Sequence, residues 1–126
     1  MKLDYISNIN AYGENVVRLY DFNKSQAVKF RKTIQQFIVS NNKQLELITV
    51  KYIKARNCIL TLCISEEDEG MMTTDDFTFF CNLTKKGYEQ MVTLLEPFCN
   101  KETKGHQWLY DVDNQIDFLF SPAGTW

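Results

Sequence analysis

Residues 23–40, NKSQAVKFRKTIQQFIVS, decide how this chain folds. Ala27, Phe30, Ile34, Phe37 and Ile38 recur at i, i+3, i+7, i+10 and i+11. At 3.6 residues per turn they share an arc of about 100°. Ser25, Lys29, Lys32 and Gln36 lie opposite. The spacing predicts an amphipathic helix over 24–40, laid on a flat apolar surface. Asn23 suits the N-cap because its side-chain oxygen can accept from a first-turn amide, and Gln26 can reach back to close a capping box. Asn41 and Asn42 supply the stop.

A second helix over 84–96 follows from the same period in Tyr88, Met91, Val92 and Leu95, capped by Thr84. Pro97 lacks an amide and restricts the residue before it, so this helix is expected to end or kink near Glu96. Around the helices the period changes to two. Segments 16–21, 45–53, 58–64, 77–82, 107–111 and 116–120 are short, β-branched or aromatic, and bounded by Asn, Asp, Gly or Lys. Residues 3–6 offer a further short edge strand. Residues 54–57 and the Asp113-Asn114 turn predict two antiparallel pairs. The expected fold is α+β: a two-layer sandwich with a mainly antiparallel six-stranded sheet, two helices on one face, and order β-α-β-β-β-α-β-β.

The strand-helix pattern recurs at a shift of 61 residues. Phe22, Ala27, Phe30, Ile34 and Phe37 then align with Leu83, Tyr88, Met91, Leu95 and Phe98. Identities are few, Lys24 with Lys85 and Phe37 with Phe98, so two similar units account for the match without duplication. Strands 58–64 and 116–120 are apolar on both parities, as in strands covered on both faces. Two helices can cover one face of such a sheet. The other face therefore predicts a curled sheet, a ligand or a second protomer, and a homodimer is the expected solution.

With 126 residues, 44% hydrophobic and 24% charged, the chain reads as one domain, 1–126, with a core that needs no staple. Collagen-like and disordered classes fail on composition. No signal-like apolar run opens the chain and no stretch of about eighteen apolar residues follows, so a cytoplasmic protein without membrane contact is expected. Cys58, Cys63, Cys81 and Cys99 sit in apolar segments and read as reduced, buried thiols.

Charge is divided along the chain. Residues 1–65 carry ten Lys and Arg against four Asp and Glu; residues 66–126 carry four against twelve. Either the halves attract each other or one sign faces a partner. The acidic run Glu66, Glu67, Asp68 and Glu69, continued by Asp75 and Asp76, lacks the alternating oxygen ligands of a calcium loop. It reads as a solvated loop or as a docking surface for a basic partner, with Met71 and Met72 adding soft contact area. Trp108, Tyr110 and Trp126 extend that candidate partner surface, because Trp and Tyr are enriched at interfaces. Trp108 and Tyr110 are expected to share one face of a strand.

Catalytic patterns are missing by the same reasoning. His106 is the single histidine, so neither a multi-histidine metal centre nor a recognisable Cys-His nucleophile emerges, and no catalytic, cofactor or metal residues are assigned. Lys24, Lys29, Arg31 and Lys32 form a basic patch, but at pI 5.4 it falls short of a nucleic-acid footprint. The functional expectation is a small cytosolic, non-enzymatic protein-interaction module of immunity or regulatory type, binding a basic partner through its acidic second half. A small-molecule binding domain using the aromatic face of the sheet, and an enzyme with an unrecognised site, stay open as alternatives.

Overall fold

A computed structural model describes residues 1–9, 13–110 and 116–123. In chain order come β1 (Lys2–Ile6), β2 (Asn15–Tyr20), α1 (Lys24–Ile34) with a π-helical extension (Gln35–Ser40), β3 (Leu45–Glu46), a 3-10 turn (Leu47–Thr49) and β4 (Lys54–Ala55). They are followed by β5 (Ile59–Ile64), β6 (Gly70–Thr73), β7 (Thr78–Leu83), α2 (Lys85–Asn100), β8 (Gln107–Tyr110) and β9 (Ile116–Ser121).

The capping box forms as expected: Gln26 N donates to Asn23 Oδ1 at 2.9 Å, and Asn23 N donates to Gln26 Oε1 at 3.2 Å. Ala27, Phe30, Ile34 and Ile38 are buried, whereas Phe37 is 46% exposed and Val39 is buried instead. The π-helical bonding over Gln35–Ser40 widens the turn and advances the stripe by one residue. Thr84 caps α2 through Gly87 N, but the helix passes through Pro97 to Asn100. Beyond the proline, Phe98 packs edge-on to Phe120 at 5.1 Å, and that burial outweighs the lost amide bond.

The α+β class stands, but the single six-stranded sheet does not. Two mixed sheets form, with strand orders β4-β1-β2-β9-β8 and β3-β5-β7-β6. Their central pairs, β2–β9 and β5–β7, are parallel, as is β4–β1; the hairpins around them are antiparallel. Strands read as doubly apolar are these inner strands: Phe118, Leu119, Phe120 and Ser121 in β9 are all buried. Residues 45–53 do not form one long strand, because Thr49 Oγ1 donates to Glu46 O at 2.7 Å and closes a turn after two residues. β6, read as loop from sequence, is an edge strand only four residues long between two acidic clusters. The 113–114 turn lies outside the described residues, although β8 and β9 pair antiparallel as expected.

The two halves follow one plan. A hairpin, a helix and an antiparallel pair form first as β1–β2, α1 and β3–β5, then as β6–β7, α2 and β8–β9. The second strand of each hairpin then pairs in parallel with the last strand of the other half, so each sheet holds strands of both. The helices pack side by side, with Arg31 Nε donating to Val92 O at 2.9 Å. A single buried cluster joins both helices to the inner faces of both sheets, through Leu3, Leu19 and Phe120 of one and Leu60, Phe79 and Cys81 of the other.

Candidate interaction surface

The β6–β7 hairpin owes its shape to two of the acidic residues singled out in the sequence. Asp75 Oδ1 accepts from Thr78 N at 2.7 Å and Phe77 N at 3.0 Å, and Asp76 takes the left-handed conformation that completes the turn. These backbone bonds, Thr78's first, hold the Asp75 carboxyl below its ordinary range. At the opposite end, Asp68 Oδ1 accepts from Thr84 N at 2.7 Å and Thr84 Oγ1 at 2.9 Å, while Thr84 Oγ1 accepts from Gly87 N at 3.0 Å. Asp68 thereby anchors the start of α2. Glu66, Glu67, Glu69 and Asp76 are exposed, so carboxylates border both ends of β6.

Between those borders lies the outward face of the second sheet. One cross-strand row runs Met72, Phe80, Thr61, Glu46. The equivalent row of the first sheet runs Asp4, Arg18, Leu119, Trp108. There, Arg18 makes two hydrogen bonds to Asp4, at 2.8 and 3.1 Å, and its guanidinium lies 3.9 Å over the Tyr20 ring. Arg18 and Asp4 side chains are only 15% and 13% exposed, and Leu119 is buried. Met72 and Phe80 occupy the same topological positions in the second sheet, yet are 46% and 43% exposed. Phe77, at the neighbouring turn, is 51% exposed. One outward face carries a charge pair and a stacked guanidinium; its counterpart presents large apolar side chains to solvent.

Trp108 and Tyr110 do not share a face as expected, because a register irregularity between them sets Trp108 opposite Leu119 and Tyr110 opposite Phe118. Both instead line a cleft of about 670 Å³ with Asp68, Lys86, Gln90 and Leu94, and Tyr110 Oη donates to Asp68 O at 3.2 Å. Three of the nine candidate residues thus meet at one cleft, the other carboxylates border β6, and Trp126 lies outside the described residues. Sequence reasoning missed Phe77, Phe80 and Glu46. Met72 was marked by its acidic neighbours, while the adjacent Met71 is buried.

His106 is exposed just before β8, its ring edge-on to Trp108 at 6.0 Å. All four cysteines are free thiols. Burial pushes Cys58 and Cys81 up to about 12, which opposes thiolate formation at neutral pH. No helix among the described residues is long and apolar enough to cross a membrane.

Two ion pairs form among the described residues, Lys2–Asp21 at 3.0 Å and Arg18–Asp4 at 2.8 Å. Neither joins the basic first half to the acidic second. No protein-family model matches the chain, and no curated protein matches it in sequence.

Proposed function

We propose that this protein is a non-enzymatic interaction module whose acidic second half engages a basic partner, in the manner of an immunity or regulatory protein. The observation that carries the reading is electrostatic. Glu66, Glu67 and Asp76 are exposed, and residues 57–84 around them contain no Lys or Arg, so this part of the chain presents a negative field to solvent. Such a field speeds encounter with a cationic surface and favours it over other partners.

The test is titration with a labelled oligolysine peptide. Replacing Glu66, Glu67 and Glu69 by Gln and Asp76 by Asn should weaken binding at least tenfold and flatten its salt dependence; Glu89→Gln with Glu96→Gln on α2 should change it much less. Equal losses in both variants would leave only nonspecific attraction to net charge and refute the reading.

A second reading rests on the cleft between α2 and β8, whose Trp108, Tyr110 and Leu94 offer apolar walls beside Lys86 and Gln90, as a small-molecule site would. Fragment binding observed by NMR and abolished by a cleft-filling Gln90→Trp variant would support it. Binding unchanged by that variant would not.

A further inference from the structure

We infer that the outward face of the second sheet docks a protein element with an apolar centre ringed by Lys and Arg. The inference rests on the interaction reading above and assigns it a surface. Three observations converge. First, Met72 and Phe80 stand side by side where the fold equally accommodates the Asp4–Arg18 pair, so architecture does not demand apolar residues there. Second, the row ends at exposed Glu46, and carboxylates border both ends of β6, giving an apolar centre with a polar rim. Third, residues 57–84, which contain β5, β6, β7 and their connections, include no Lys or Arg.

This one-signed rim decides the occupant. A second copy placed on the same face across a two-fold axis would set carboxylates against carboxylates, which disfavours the homodimer expected from sequence. A basic partner meets complementary charge at Glu46 and at both ends of β6, and its apolar centre covers Met72 and Phe80. Met72, unbranched and polarizable, adapts to the shape of that centre.

The experiment compares two fluorescent probes in 0.15 M salt, about the physiological ionic strength. One is a Leu/Lys peptide with leucines at helical spacing; the other is oligolysine of equal charge. The native protein is expected to bind the amphipathic peptide at least tenfold more tightly. Met72→Ser with Phe80→Ser should remove that advantage while leaving oligolysine binding unchanged, and Met72→Lys should weaken both. Unchanged thermal midpoints of these variants establish that the fold is intact; Phe80→Tyr, which keeps the ring, provides a second variant expected to retain binding. If the serine variant binds the amphipathic peptide as the native protein does, the surface is wrong although the basic-partner reading survives. If oligolysine binding also ignores the Glu66, Glu67, Glu69 and Asp76 changes, that reading falls as well. A native dimer that Phe80→Ser converts to a monomer would identify a second copy as the occupant and overturn the inference.

Discussion

Asp75 ties the chemistry of one side chain to the shape of the β6–β7 turn. Its carboxylate accepts from Thr78 N and Phe77 N, so folding favours the ionised form and lowers its pKa from the ordinary 3.8. The stabilisation is present above the unfolded value and is lost as pH falls through the lower folded value. Asp75→Ala should therefore lower the thermal midpoint at neutral pH, with a difference from the native protein that shrinks as pH falls below the ordinary 3.8. A difference independent of pH would contradict this account. Cys58 and Cys81 give the opposite sign. Burial raises both to about 12, so an unfolded chain loses their protons near the ordinary 9.0 while the folded chain retains them. Their contribution is complete below the ordinary value and declines as pH rises from there towards 12. At pH near 8 both thiols should label slowly with a disulfide reagent and react fully on unfolding. Immediate labelling of all four thiols in the native protein would show that the strands do not shield them.

At the scale of an element, α2 begins with a relay from Gly87 N through Thr84 Oγ1 to Asp68. A Cβ on Gly87 would lie 2.8 Å from Asp68 Oδ1 and 3.1 Å from Leu83 Cβ. Gly87→Ala should destabilise, whereas Asp68→Ala should cost about 1 kcal/mol as a lost capping group. The double variant should fall short of the sum because the first collision has gone; strict additivity in denaturant midpoints would exclude the contact. The capping box of α1 was legible in the sequence because Asn23 and Gln26 make both of its bonds across three residues. The phase change at Phe37 was not, since π-helical bonding depends on what the whole helix packs against. β6 escaped notice for a related reason: Gly70, Met71, Met72 and Thr73 become a strand only when β7 lies beside them. Alternation does place Thr78, Phe80 and Asn82 on one face of β7, but whether that face is covered depends on strands from elsewhere in the chain. The acidic borders of the candidate surface were therefore readable, while its apolar centre was not.

Across the whole molecule, Phe120 shows how one core unites the halves. Its ring lies 4.1 Å from Phe22, 5.7 Å from Phe30 and 5.1 Å from Phe98, joining β9 to both helices. Phe120→Ala should cost about 3–5 kcal/mol, and secondary and tertiary signals should still be lost together. Separate transitions for the two sheets would show that the core is not shared. The two-sheet arrangement was hidden from sequence because parallel pairs such as Val17 with Phe118 and Leu60 with Phe79 have no local signature. Those same pairs govern how the protein emerges from the ribosome. β2 appears early but must wait for β9 about a hundred residues later, so the nascent chain cannot complete its first sheet while β9 is still inside the exit tunnel. Folding measured on stalled chains should therefore show its main gain only after β9 has cleared the tunnel. Until then the apolar strands of the first half depend on chaperones, or on the speed of translation, for protection from aggregation.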